Sequence, residues 1–315
     1  MKAGVMATAL VAHVPTLGRP EITPEYQRTL VHAERALGSA LRTELKPDLW
    51  VIASTHWVST FDWFTTCQPR HEGLCVAHEA PNLIPGLPYS YRGDAEFGAA
   101  LVEAWNAAGV NAVRNEARNY HWDYGTFVPL RYLDPDAEVP VVSIPVVLTA
   151  DHGECLRAGA AIHATAKKLN RRVVFLASSA LSHLLVRGRH NWPTPERLEA
   201  DKHFVEQLKR GALDEAIAAF GDYSRKVVAE MGGRALATML GVVAAMSREG
   251  QPLSGRQYGD YAPSSGSNNA VLLVADDATL AGVDRQAQAA GRAERDRAPA
   301  EPRSPAGLTA VEESE

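Results

Sequence analysis

The sequence predicts an α/β fold, in which a single large domain holds a mostly buried, mixed or parallel sheet flanked by helices. Two observations lead to this prediction. Several short, continuous apolar runs have the length and composition of strands covered on both faces. Segments with helical periodicity separate these runs, as is typical of α/β proteins. The chain has 315 residues, 46% of them hydrophobic, which is enough to bury a large core.

The predicted strands and helices alternate along the chain. Strands are predicted at residues 7–12, 48–53, 139–148, 172–177 and 268–274. Helices are predicted at residues 23–46, 95–108, 155–169 and 232–246, and residues 200–220 fit two further helices. We therefore expect one folded domain over residues 1–275, with its active site at the carboxyl ends of the strands, where open α/β sheets bind ligands.

Residues 276–315 differ from the rest of the chain in composition. They are rich in Ala, Arg, Glu and Pro and contain almost no aromatic or large aliphatic side chains. Because such a segment buries too little apolar surface to offset the entropy lost on ordering, we predict a disordered tail.

Charge and cysteine content exclude several classes of function. A net charge of −5 provides no basic surface for a polyanion, so we expect no nucleic-acid partner. The cysteines Cys67, Cys75 and Cys155 form neither a CxxC pair nor a zinc-knuckle spacing, which indicates a reducing compartment. The sequence shows no signal peptide and no apolar stretch long enough to span a bilayer, so we expect no membrane partner and a cytoplasmic location.

Histidines follow four of the predicted strands. His13, His56, His152 and His183 each lie in a short segment directly after a strand, so these segments are candidates for one shared site. Two imidazoles and one carboxylate on one face of a metal form the ligand set of non-haem iron(II) oxygenases. His13 and His56 are candidates for the imidazoles, whereas spacing alone does not select the carboxylate.

Structural roles compete with this interpretation. A single histidine after a strand is more often a hydrogen-bonding residue than a metal ligand, and a glutamate such as Glu230 at a helix start usually favours the helix dipole. Asp151 fits a helix N-cap. The pair His78 and Glu79 is typical of a solvated loop. Ser182 beside His183 suggests a hydrolase, but no GxSxG elbow surrounds any serine.

A set of ordered motifs resembles one known family over about residues 6–274. The family is the class III extradiol dioxygenases, the superfamily of protocatechuate 4,5-dioxygenase catalytic subunits. The resemblance is closest to the homoprotocatechuate 2,3-dioxygenase and 2-aminophenol 1,6-dioxygenase branches. The segments that carry it are AHVPT at 12–16, STHW at 54–57, WDYGT at 122–126, VPLRY at 128–132, LASSALSH at 176–183, AEMGG at 229–233, MLG at 239–241, YAPSSG at 261–266 and NAV at 269–271.

The resemblance implies roles for particular residues. His13, His56 and Glu230 would bind Fe(II), with Glu230 assigned from its spacing to the following helix. His183 would act as the acid and base that transfers the substrate's protons, because histidine titrates near neutral pH. Tyr124 would donate a hydrogen bond to the reacting oxygen or orient the substrate. Many relatives have histidine at that place, and tyrosine points to the two branches named above.

The implied reaction is cleavage of a catechol ring, homoprotocatechuate-like, by O2 with insertion of both oxygen atoms. The alternative within the family is a 2-aminophenol-type 1,6-dioxygenase catalytic subunit. We expect His121 and Trp57 to line the substrate pocket. The partners expected are a small aromatic substrate and O2, and the chain would work as a homo-oligomer or with a second, smaller subunit. A zinc hydrolase with the same ligands and a non-catalytic binding protein of the same fold are the alternatives from other classes.

Overall fold

A six-stranded mixed sheet forms the centre of the molecule. The computed structural model describes residues 3–250 and 252–297, with side chains to residue 290. The strand order is β7-β2-β8-β1-β10-β9. Strands β7, β2, β8 and β1 run parallel, whereas β10 pairs antiparallel with both β1 and β9. The prediction of an α/β fold with a mixed sheet flanked by helices is confirmed.

The strands and helices within the described residues have the following bounds. The strands are β1 Gly4–Val11, β2 Leu49–Ser59, β3 Trp63–Thr66, β4 Arg70–Val76, β5 Pro85–Arg92, β6 Ala112–Asn115, β7 Val141–Val147, β8 Arg172–Ser178, β9 Leu253–Ser264 and β10 Ser267–Asp276. The α-helices are α1 Arg28–Glu44, α2 Ala95–Ala107, α3 Tyr124–Leu133, α4 His152–Lys168, α5 Pro195–Lys209, α6 Leu213–Val227, α7 Arg234–Ser247 and α8 Asp277–Arg297.

Two hydrophobic layers cover the two faces of the sheet. Successive side chains of a strand point to opposite faces. In β2, Val51 packs in the layer formed with α2, α4, α5, α6 and α7, whereas Trp50 and Ile52 pack in the layer formed with α1, α3 and α8. Both layers are apolar, which explains why the parallel strands appear in the sequence as continuous hydrophobic runs.

Helix α1 begins later than the sequence pattern suggests. The sequence pattern predicts a helix from residue 23. In the structure the α-helix begins at Arg28, and a 3-10 turn occupies Glu25–Gln27. The reason is Pro24, because a residue before proline avoids the helical region. Thr23 accordingly has an extended ψ of 120°.

The predicted disordered tail is wrong for residues 277–297, which form helix α8. Asp276 caps this helix by accepting a 2.8 Å hydrogen bond from the Thr279 N–H. Leu280, Val283 and Ala287 lie on one face and are buried in the layer that contains α1. Composition alone missed this helix because a few apolar residues at helical spacing suffice where a packing surface already exists. Residues 298–315 lie outside the described part of the chain.

Cys67, Cys75 and Cys155 are all buried, free thiols. Of the helices in residues 3–250 and 252–297, none combines the length and the apolar character that crossing a bilayer requires.

Strand β4 carries a buried histidine that makes stability depend on pH. The Nε2 of His71 lies 3.1 Å from the Val141 carbonyl oxygen, and burial lowers the pKa of His71 to about 4 from 6.5. Between those pH values the unfolded chain binds a proton that the folded protein does not. The free energy of unfolding therefore falls as the pH drops from 6.5 to 4, by up to about 3 kcal/mol from this residue.

We expect the free energy of unfolding to depend less steeply on pH in His71→Gln than in the wild type, because glutamine does not titrate. Urea unfolding between pH 7 and 4 measures it, with His190→Gln as the control because His190 is exposed. Equal slopes for the wild type and His71→Gln would show that His71 does not contribute.

Candidate metal centre

Three side chains distant in sequence meet at the carboxyl ends of the parallel strands. One ligand atom from each of His13, His56 and Glu230 lies within 4.8 Å of the others. His13 follows β1, and His56 lies near the end of β2. Glu230 follows α6 at the start of a 3-10 turn, Glu230–Gly233. His13 and Glu230 are buried, and His56 is half-buried.

A bulge in β2 directs His56 towards this cluster. The pairing of β2 with β8 ends at Ser54, and the register of β2 with β7 shifts between Ser54 and Val58. Bulges of this kind re-aim side chains at sites. The Ser54 hydroxyl accepts a 3.1 Å hydrogen bond from the His56 N–H and donates to Asp123, so the bulge is held from both sides.

The backbone around Glu230 is unusually constrained. Val228, Met231, Gly232 and Gly233 have φ angles of 52°, 46°, 67° and 76°. This left-handed region is costly for valine and methionine, by about 1–3 kcal/mol each. The resulting chain reversal is anchored by Glu230 itself, whose N–H donates to the Leu181 carbonyl and whose Oε2 accepts a 2.6 Å hydrogen bond from the Ala180 N–H.

The other carboxylate oxygen of Glu230 faces three imidazoles. Oε1 lies 3.2 Å from His13 Nε2, 3.5 Å from His56 Nε2 and 3.6 Å from His183 Nε2. Burial would raise the pKa of the Glu230 carboxyl, but the neighbouring imidazoles, His13 foremost, hold it well below its usual range. This arrangement keeps an anion at the centre of the cluster.

The pKa values of two of these imidazoles shift in opposite directions. Burial would lower the pKa of His56, but the adjacent Glu230 carboxylate together with the charges of Asp123 and Glu79 outweighs burial and raises it. Burial lowers the pKa of His183 despite the opposing charge of Glu230. His183 is therefore held neutral at neutral pH, in the form that accepts a proton.

Hydrogen bonds determine which nitrogen of His13 is available to a metal. The Ser178 hydroxyl donates to the Gly125 carbonyl oxygen at 2.6 Å, so it must accept from His13 Nδ1, which is 3.0 Å away. His13 Nε2 consequently presents its lone pair to the cluster. Two imidazole nitrogens and one carboxylate oxygen suit a divalent first-row metal such as Fe(II), so the residues present fit the metal that the sequence suggested.

Tyr124 and His183 both lie beside the metal cluster, where the sequence led us to expect site residues. Tyr124 begins α3, which Asp123 caps by accepting a 2.9 Å hydrogen bond from the Thr126 N–H. Its ring centroid is 3.9 Å from that of His56. Burial, with the nearby carboxylate of Glu79, raises the pKa of Tyr124, so its hydroxyl keeps its proton.

A cavity of about 270 Å³ opens over these residues. It is wide enough for a single aromatic ring with a short substituent. Its lining combines the cluster with apolar and hydroxyl side chains, namely His13, Val14, Pro15, Thr16, His56, Glu79, Leu83, Tyr124, Ala180, His183, Leu185, Arg189, Ser264, Ser265, Ser267 and Asn269.

Three residues that the sequence suggested for the site do not line the cavity, namely Trp57, His121 and His152. Trp57 follows His56 in the chain and packs against Tyr120, with ring centroids 4.8 Å apart. His121 is exposed beside the β4–β5 hairpin. His152 starts α4 and its Nε2 lies 2.8 Å from the Gly232 carbonyl oxygen. The expectation that Trp57 and His121 line the pocket is therefore not met, because Trp57 packs against Tyr120 and His121 is exposed outside the cavity.

Several residues of the site gave no recognisable signal in the sequence. Glu79, assigned to a solvated loop, lies 3.6 Å from His56 Nδ1. Arg189 lines the cavity from the segment after His183. Ser178 orients His13. These residues come from distant parts of the chain, so the sequence alone does not indicate that they meet at the site.

A buried carboxylate behind the site fixes the segment that carries His183. Asp201, fully buried in α5, accepts hydrogen bonds from the Ser182 hydroxyl at 2.7 Å, the Tyr223 hydroxyl at 2.9 Å and the Asn268 amide at 3.0 Å. These donors come from the segment after β8, from α6 and from β10. Asp201 thus ties together the elements that position His183 and Glu230.

The fold and the cluster together define a class of protein. It is an α/β protein with two histidines and one carboxylate, a 2-His-1-carboxylate set, at the carboxyl ends of its strands. The family described as the catalytic LigB subunit of aromatic ring-opening dioxygenase matches residues 7–269. The chain belongs to this LigB family, the class III extradiol dioxygenase catalytic subunits.

Known relatives are ring-cleaving dioxygenases. A 3,4-dihydroxyphenylacetate 2,3-dioxygenase of Escherichia coli is 24% identical over 226 residues, which cover 69% of this chain and 82% of the relative. The 2-aminophenol 1,6-dioxygenase beta subunit of a Pseudomonas species is 28% identical over 277 residues, covering 82% of this chain and 87% of the relative. These relatives support an oxidoreductase of the dioxygenase type at the level of the family.

A solved structure shares the fold. The crystal structure of an uncharacterized protein from Escherichia coli K12 superposes with a TM-score of 0.59 at 16% identity, covering 85% of this chain and 99% of that protein. At this identity the similarity concerns the fold alone.

Proposed function

We propose that the protein is an Fe(II)-dependent extradiol dioxygenase that opens the ring of a catechol with O2 and inserts both oxygen atoms. The observation that carries this proposal is the meeting of His13, His56 and Glu230 beside the neutral His183. The three ligands leave other coordination positions free, as a reaction between two bound substrates requires. Family membership supports the class of reaction, and the donor set supports the metal.

The residues around the cluster account for the proton transfers. His183 accepts the proton of a substrate hydroxyl and later returns one to the product oxygen, a role for which a neutral imidazole is suited. Tyr124 retains its proton and donates a hydrogen bond to the reacting oxygen. The apolar side chains of Val14, Pro15 and Leu83 exclude water from the ring. The bound metal ion would supply a Lewis acid that lowers the pKa of the catechol hydroxyls and a path for electrons from ring to O2.

Ring-opening assays with iron-loaded protein test this function. The protein is purified without oxygen, loaded with Fe(II) or Zn(II), and supplied with 3,4-dihydroxyphenylacetate, catechol, 2-aminophenol and an ester. We expect the yellow ring-opened product from a catechol with Fe(II) only. Ester hydrolysis by the zinc form without ring opening by the iron form would instead favour a zinc hydrolase. Tight metal binding with no turnover of any compound would favour a non-catalytic role.

A cation at the cavity favours a substrate with an anionic substituent. Arg189 is the one arginine or lysine among the described residues that line the cavity, and Ser264 and Ser265 lie in the same lining. A carboxylate on the ring substituent would pair with this guanidinium. We therefore propose a homoprotocatechuate-like catechol as the substrate. The second candidate is a 2-aminophenol, favoured by the long match to the Pseudomonas beta subunit.

Arg189→Gln is expected to lower kcat/KM for 3,4-dihydroxyphenylacetate about tenfold, since a hydrogen bond to a charged group contributes roughly 1.5–3 kcal/mol and this one is partly solvated. Activity towards catechol, which has no carboxylate, should not change. Steady-state oxygen consumption measures both. Arg187→Gln is the matched control, because Arg187 is also exposed but lies outside the lining. Equal losses for both substrates would exclude charge recognition by Arg189.

We also propose that the chain acts in an assembly, as a homo-oligomer or with a second, smaller subunit. One relative is named as a beta subunit. Large apolar side chains are exposed after His183, namely Leu184, Leu185, Val186 and Trp192. Sedimentation velocity of the purified chain separates a self-assembled oligomer from a monomer that awaits a partner.

A further inference from the structure

The loop between β4 and β5 brings an unassigned carboxylate to the rim of the cavity. Backbone hydrogen bonds from the Ala80 N–H to the Ala77 carbonyl and from the Leu83 N–H to the Ala80 carbonyl close this loop into successive turns. Leu83 and Ile84 are buried and anchor it against the domain. The loop is therefore an ordered part of the site, and Glu79 lines the cavity from it.

Glu79 contacts two residues of the proposed machinery at once. Its Oε1 lies 3.6 Å from His56 Nδ1. Its carboxylate also lies near Tyr124 in the lining of the same cavity and helps to raise the pKa of the Tyr124 hydroxyl. Because the rings of His56 and Tyr124 lie 3.9 Å apart at an angle of 38°, the three side chains form one compact group.

The imidazoles of His13 and His56 are oriented in similar ways. Each directs Nε2 at Glu230, so each must carry its proton on Nδ1 when Nε2 binds a metal ion. His13 Nδ1 has the Ser178 hydroxyl as its acceptor. The acceptor beside His56 Nδ1 is Glu79. Such acceptors fix the tautomer and the ring orientation of metal-binding histidines and increase their basicity.

We propose that Glu79 is a positioning residue, which orients His56 for the metal ion. The separation of 3.6 Å exceeds a hydrogen bond, and the Glu79 side chain is 56% exposed. Because this side chain is largely exposed, a change in its torsion would bring the carboxylate within hydrogen-bonding distance of His56 Nδ1. This inference rests on the proposed function only through the metal site, since it concerns binding of the ion and not the chemistry of the ring.

Metal affinity of Glu79 variants tests the proposal. Co(II) replaces Fe(II) as the probe, because its visible absorption reports both the affinity and the geometry of the ligands. Glu79→Ala is expected to weaken Co(II) binding by about 10- to 100-fold, the usual effect of removing such an acceptor. Glu79→Gln should retain most of the affinity, because its amide oxygen can also accept a hydrogen bond from His56 Nδ1.

The matched control is Glu72→Gln, in the same hairpin, with a side chain 69% exposed that pairs with Arg70. This variant should bind Co(II) like the wild type. The metal-free proteins should all unfold at the same urea concentration, because an exposed ion pair contributes little to stability.

Two results would overturn the role of Glu79. One is Co(II) affinity in Glu79→Ala within twofold of the wild type, and the other is an equal loss in Glu72→Gln. Absence of Co(II) binding by the wild type would overturn it as well. Failure of the proposed function has a different signature, namely wild-type protein that binds Co(II) with the expected Glu79 dependence but whose iron form opens no ring.

Discussion

Replacing Glu230 by alanine is expected to abolish iron binding and ring opening together. Glu230 supplies the one anionic ligand of the cluster, and its Oε1 lies 3.2 Å from His13 Nε2 and 3.5 Å from His56 Nε2. Without it, two neutral imidazoles remain to hold a dication in a largely buried position, which is unfavourable. His13→Ala and His56→Ala should give the same result, since each removes one of three ligands.

Iron analysis after anaerobic loading, followed by oxygen consumption, measures both effects. Asp134→Asn is the matched control, because Asp134 is a buried carboxylate that pairs with Arg42 outside the cluster. Asp134→Asn should lose stability but keep its iron. A Glu230→Ala protein with the iron content and turnover of the wild type would refute the assigned ligand set.

Replacing His183 by alanine is expected to preserve the iron and slow the reaction. The turnover number should fall by roughly 10²- to 10⁴-fold, the range for loss of one acid–base group. His183 is suited to this role because burial lowers its pKa, so the imidazole is neutral before the substrate arrives. Its Nε2 lies 3.6 Å from Glu230 Oε1, close enough to reach a substrate on the same metal ion.

The loss of turnover must be distinguished from a loss of iron, because His183 lies beside the metal ligands. Iron content and the turnover number are therefore measured on the same sample, with His203→Ala, a distant exposed histidine in α5, as the control. Unchanged turnover at full iron content would exclude His183 as the acid–base group. Loss of iron in His183→Ala would instead make it a fourth ligand.

Much of the fold was predictable because it depends on local patterns. The parallel strands are buried on both faces, so their sequences are continuous apolar runs. Once those strands are assigned, the common edge of their carboxyl ends places the residues that follow them, and His13, His56 and His183 do meet there. His152 also follows a strand, but it belongs to the first turn of α4 and contacts Gly232 instead.

The less predictable parts depend on contacts between distant segments. Glu230 reaches the cluster at a chain reversal with left-handed residues on both sides, which no periodicity reveals, so only the family resemblance indicated its role. Glu79 comes from a hairpin loop whose composition is that of a solvated turn. Helix α8 was missed because its stability depends on the packing surface that α1 offers to Leu280 and Val283.

The most direct test of the metal centre is a crystal structure of the anaerobic, Fe(II)-loaded protein, with anomalous scattering measured at the iron absorption edge. We expect one strong peak at bonding distance from His13 Nε2, His56 Nε2 and the Glu230 carboxylate, with the His183 imidazole facing the open positions. Iron bound elsewhere, or no peak between these three side chains at full iron loading, would contradict the proposed centre.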